Sequence, residues 1–60
     1  MSNIRELAER RGLKMADIAR ITGISESMLS LIANGKRNVT PHTAKQLAPT
    51  LGVDWWELID

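Results

Sequence analysis

The chain has sixty residues, with eight Lys/Arg, seven Asp/Glu, no cysteine and one histidine, His42; this excludes a disulfide scaffold and a thiolate zinc site and leaves no histidine cluster for a metal. So short a chain buries only about 60% of its unfolded surface, so its single core needs tight helix packing or self-association for support. The net charge of +1 says little, but residues 1–45 hold eight Lys/Arg against four Asp/Glu while residues 46–60 hold three acids and no base, a polarity that suggests one face meant for an anion.

Gly12, Gly23, Gly35, Pro41 and Gly52 divide the chain into short segments, none with the two-residue alternation of a strand. The reading is an all-α, compact bundle of four to five short helices forming a single domain over residues 1–60. The first helix is expected from Ile4 to Arg11, with Asn3 as its cap and Glu6 completing a capping box. Ile4, Leu7 and Ala8 share its inward face, and Gly12 ends it after Arg10 and Arg11. The second runs from Met15 to Thr22, with Ile18, Ala19 and Met15 turned inward. Ser25 caps the third, expected from Glu26 to Asn34, whose core pair is Leu29 and Ile32 and which Gly35 stops. Thr40 and Pro41 begin the fourth, with Ala44, Leu47, Ala48 and Leu51 as its apolar stripe. Pro49 lacks a backbone donor and is expected to end or kink that helix near Ala48. A last short helix follows Asp54, with Glu57 completing a second capping box.

The spacing between the second and third helices carries the functional argument. Two helices that cross at roughly 90–120° through a three-residue turn nearly touch at the elbow. Ala19 is small enough to allow that contact, Gly23 allows the positive φ of the turn, and Ile24 plugs the angle. Leu29 and Ile32 fasten the third helix inward, which leaves its other face projecting. Residues 15–34 are therefore read as a helix-turn-helix, a unit that binds duplex DNA.

The runs Leu13-Lys14-Met15-Ala16-Asp17-Ile18-Ala19, Thr22-Gly23-Ile24-Ser25 and Leu29-Ser30-Leu31-Ile32-Ala33-Asn34-Gly35-Lys36-Arg37 resemble the lambda-type phage repressor and Cro family, also called Xre-type helix-turn-helix. Gln46-Leu47-Ala48 and Leu51-Gly52-Val53 continue the likeness over nearly the whole chain. The resemblance implies a lambda-repressor-like bundle that binds double-stranded DNA, generally as a homodimer, in a transcriptional regulator of phage or prophage type. It puts Glu26, Ser27 and Leu31 at base-facing positions of the third helix, with Met28 and Ser30 beside them, and Lys14, Asn34, Lys36, Arg37 and Asn38 at phosphate-facing positions. Two departures stand out. Lys14-Met15 replaces a polar pair common in the family, and Ala8 and Ala33 replace a frequent Arg–Glu pair between the first and third helices.

The same residues have plainer readings. Glu26 can accept from a cytosine amino group or simply complement its helix dipole. Leu31 can meet a thymine methyl, or form with Met28 an apolar patch for a protein partner. That second possibility makes a protein-interaction module the alternative function. Lys36 and Arg37 can hold phosphate or stabilise the helix end, whereas Arg10, Arg11, Arg20 and Lys45 read as solvated charge. Trp55 and Trp56 sit about 100° apart on a helix, so one is expected over the core and the other exposed or in a dimer contact. No paired carboxylates, phosphate-binding loop or ligand-sized pocket suggests an enzyme, a cofactor or a small-molecule substrate. No apolar run nears the roughly 20 residues of a membrane span, and Met1–Glu6 lacks a signal pattern, so a cytoplasmic protein is expected.

Overall fold

The computed structural model describes residues 4–59. Four α-helices, α1 (Ile4–Arg10), α2 (Met15–Thr22), α3 (Glu26–Ala33) and α4 (Pro41–Leu51), are followed by a 3-10 turn, Trp55–Leu58. No strand occurs among the described residues. The expected cap Asn3 lies outside them.

The apolar spacing accounts for the core. Ile4 and Ala8 of α1, Ile18 of α2, Leu29 and Ile32 of α3, and Ala44, Leu47, Ala48 and Leu51 of α4 are all buried, joined by Val39 and Leu58. Leu7, Met15, Ala19, Ile24 and Val53 pack against this cluster half-buried. No polar side chain is buried among the described residues, so the core carries no unpaired polar group that would weaken it. Helix α4 packs on α1, α2 and the 3-10 turn, while α1 also touches α2 and α3. That arrangement makes α4 the support on which the α2–α3 pair rests.

The helix ends follow local chemistry. Ser25 Oγ accepts from the Met28 N–H at 3.1 Å, and Thr40 Oγ1 accepts from the Thr43 N–H at 3.3 Å with Pro41 at the first helical position. Glu57 accepts from the Asp54 N–H at 2.8 Å, the return arm of the expected capping box. At α2, where no cap was expected, the Asp17 carboxylate accepts from the Lys14 N–H at 2.9 Å. Helices α1 and α3 each end one residue earlier than expected, at Arg10 and Ala33.

Pro49 does not end α4. The helix continues two residues beyond it to Leu51 and closes at Gly52, whose N–H bonds the Ala48 carbonyl. Pro49 and Lys45 are both exposed, so the Lys45 carbonyl deprived of a partner by Pro49 lies on the wet side of the helix, where water can serve it. The buried residues on both sides of Pro49, Leu47, Ala48 and Leu51, hold the helix together from the core face.

Candidate nucleic-acid interface

The elbow between α2 and α3 is built by short-range bonds. Gly23 adopts φ 80° and donates to the Ala19 carbonyl at 2.8 Å, which ends α2 within one residue. Thr22 Oγ1 donates to the Ile18 carbonyl at 2.7 Å and accepts from the Ile24 N–H at 3.2 Å, tying the last turn of α2 to the connection. Thr22 had no assigned part in the sequence reading. A hydroxyl at the last helical position, two residues before the elbow plug, is the signal that points to it.

Helix α3 buries Leu29 and Ile32 and exposes Glu26, Ser27, Ser30 and Leu31, the last at 38%. Met28 differs from the other base-facing candidates. It is half-buried and packs against the core, because it stands one helical turn before Ile32 and so borders the inward stripe. Met28 therefore lies at the edge of the projecting face.

At its far end α3 passes into an exposed segment. Gly35, at φ 72°, donates to the Ile32 carbonyl at 3.1 Å, and Lys36 donates to the Leu31 carbonyl at 2.9 Å, the paired bonds of a Schellman closure. This closure holds the start of Lys36-Arg37-Asn38 against the helix end, with all three side chains exposed. Asn34 is the cap residue of α3 and is also exposed.

An open groove of about 570 Å³ runs along this face, lined by Arg5, Met15, Glu26, Ser27, Ser30 and Leu31. It joins the start of α2 to the exposed side of α3. Lys14 immediately precedes Met15 at one side, while Lys36 follows the α3 closure at the other. Arg5, which the sequence reading left without a role, lines the groove and donates through Nη2 to Asn34 Oδ1 at 3.3 Å. No local pattern announces this contact, since the partners stand 29 positions apart.

The charges divide into two groups. Arg10 pairs with Glu6 at 2.9 Å and Arg20 with Asp17 at 3.0 Å, while Lys45 lies 5.0 Å over the Trp55 ring. These cations already have local partners. Among the described residues Arg11, Lys14, Lys36 and Arg37 make no ion pair; of these, Lys14 adjoins the groove residue Met15 in sequence, and the Lys36 N–H bonds the carbonyl of the groove residue Leu31. The Lys14 N–H and then the Arg20 guanidinium hold the Asp17 carboxyl below its ordinary value, keeping it ionised. His42 is exposed in the first turn of α4. Ala8 is buried and Ala33 half-buried, both in apolar packing, and the Arg5–Asn34 bond supplies a polar link between α1 and the end of α3.

Trp55 is half-buried against the core, and Trp56 is 60% exposed with its ring edge-on to Trp55 at 5.9 Å. Among the described residues no group of His, Cys, Asp and Glu side chains could hold a metal ion, and no helix is long and apolar enough to cross a membrane.

A family model described as helix-turn-helix matches residues 4–57. The chain is 37% identical over 57 residues to the HTH-type transcriptional regulator DdrOP3 of Deinococcus deserti, covering 95% of this chain and 44% of that protein. It is 36% identical over 58 residues to the uncharacterized HTH-type transcriptional regulator y4dJ of Sinorhizobium fredii, covering 97% of this chain and 75% of that one. The chain thus spans less than half of the first relative and about three quarters of the second. No solved structure matches the chain significantly.

Proposed function

The chain belongs to the helix-turn-helix family, and from that membership we propose that it is the DNA-binding unit of a transcriptional regulator, with α3 entering the major groove. The observation that carries this reading is the groove-bearing face itself. The exposed side chains of α3 border an open groove; the exposed Lys14 directly precedes its lining residue Met15, and the exposed Lys36-Arg37 follow the closure of α3. Cations at the margins suit phosphates, and uncharged or acidic side chains between them suit base edges.

In this account Lys14, Lys36, Arg37 and Asn38 contact the backbone and supply most of the affinity through release of counterions. Glu26, Ser27, Ser30 and Leu31 choose the bases: Glu26 fits a cytosine amino group and Leu31 a thymine methyl. Both relatives carry names of transcriptional regulators, which supports regulation as the setting and leaves phage origin and direction of control out of the proposal. A DNA-binding regulator of this kind would work in the cytoplasm.

We further propose that it acts as a homodimer. Trp56, exposed at 60%, is the apolar surface such a contact would cover.

Selection from a random duplex library at low and moderate salt tests the function. The expected result is enrichment of a short motif in two half-sites that persists at moderate salt. Recovery of no duplex at low salt would sink the proposal.

A further inference from the structure

We propose that Arg5, a residue of α1, is a phosphate-binding residue of the DNA interface, and that Asn34 is the residue that positions it. This inference rests on the DNA-binding reading and adds a contact that the helix-turn-helix segment itself does not contain.

The exposed side of α3 offers Glu26, Ser27, Ser30 and Leu31, and none of them is positive. The side chains on that face bring no positive charge of their own to the phosphates of a duplex. Arg5 is the one cation among the residues lining the groove beside that face. Its partner matters as much as its place. Arg10 and Arg20 are bound to the carboxylates of Glu6 and Asp17, which cancel their charge locally. Arg5 is bound to Asn34, a neutral acceptor. That bond holds the guanidinium without neutralising it, and it uses one of the five N–H donors that a guanidinium carries. The remaining donors keep the planar fork that matches a phosphate.

Asn34 is suited to aim it. Its backbone caps α3, with the N–H donating to the Ser30 carbonyl at 3.0 Å, and its side-chain amide lies 3.5 Å from Ser30 Oγ. With both ends of Asn34 tied to α3, the Arg5 charge is held in register with the helix that would enter the groove. Asn34, assigned to phosphate by family resemblance, thus spends its carbonyl oxygen on Arg5 and acts through it.

The test compares Arg5→Ala, Arg5→Gln, Arg5→Lys and Asn34→Ala with the unaltered chain, each folded by circular dichroism, on one selected duplex over a range of salt. Arg10→Ala removes the same charge elsewhere on α1 and serves as the control; Lys36→Ala serves as the reference for a phosphate contact. Expected are a loss of affinity of about tenfold or more for Arg5→Ala and Arg5→Gln and a salt slope lower by about one. Arg5→Lys should retain the slope. Asn34→Ala should weaken binding less, keep the slope, and add nothing in the Arg5→Ala background. If Arg5→Ala and Arg5→Gln match Arg10→Ala while Lys36→Ala still weakens binding, this proposal fails and the DNA-binding reading stands. A changed base preference with an unchanged salt slope would overturn the phosphate assignment. Failure of the unaltered chain to bind any duplex would instead overturn the DNA-binding reading itself.

Discussion

Asp17 shows how much one side chain does at the edge of the interface. Its carboxylate receives the Lys14 N–H at 2.9 Å and the Arg20 guanidinium at 3.0 Å, so it closes the start of α2 and occupies a cation on that helix. Lys14 is thereby held in extended backbone just before the helix, with its own ammonium unclaimed among the described residues. Because these bonds favour the ionised form, the folded protein holds Asp17 below its ordinary carboxylate value. A depressed carboxylate stabilises the fold at every pH above its unfolded value, and that contribution disappears as pH falls through the folded one. Asp17→Asn should therefore lower the melting temperature at neutral pH, with the difference from the unaltered protein shrinking as the pH drops below about 4. Thermal melts by circular dichroism at several pH values check this. A gap that stays constant into acid would contradict the role given to the carboxylate.

At the scale of the elements, much of the architecture was legible in the sequence because local signals and core spacing agree. Ser25, Thr40 and Pro41 mark helix starts by capping chemistry that acts within three residues, and the Leu29/Ile32 and Leu47/Leu51 spacings mark the inward faces. The elbow was legible for the same reason, since Ala19, Gly23 and Ile24 lie within six residues. What escaped depends on distance or on competition between forces. Arg5 and Asn34 meet only through the packing of α1 on α3, and Pro49 is tolerated only because buried neighbours hold α4 around it. Opposite substitutions follow from this contrast. Ser25→Ala should destabilise by about 1 kcal/mol through the lost cap, whereas Pro49→Ala should stabilise by about 1–3 kcal/mol by restoring a donor on the wet side of α4. Chemical denaturation of both variants distinguishes them. Destabilisation by Pro49→Ala would mean that the proline is required for the helix end.

The whole molecule is a small apolar core under an exposed layer whose charge is unevenly distributed along the chain. Lys14, Lys36 and Arg37 keep their charges available around the α3 face, while the residues after Gln46 carry acids and the exposed Trp56. Chemical-shift mapping of the labelled protein titrated with a selected duplex tests most directly whether the α3 face is the DNA interface. Perturbations are expected to concentrate on Arg5, Lys14, Glu26–Leu31 and Lys36–Asn38, with His42 and Gln46 on α4 unchanged. Perturbations centred on Trp56 and α4, with α3 silent, would contradict that assignment.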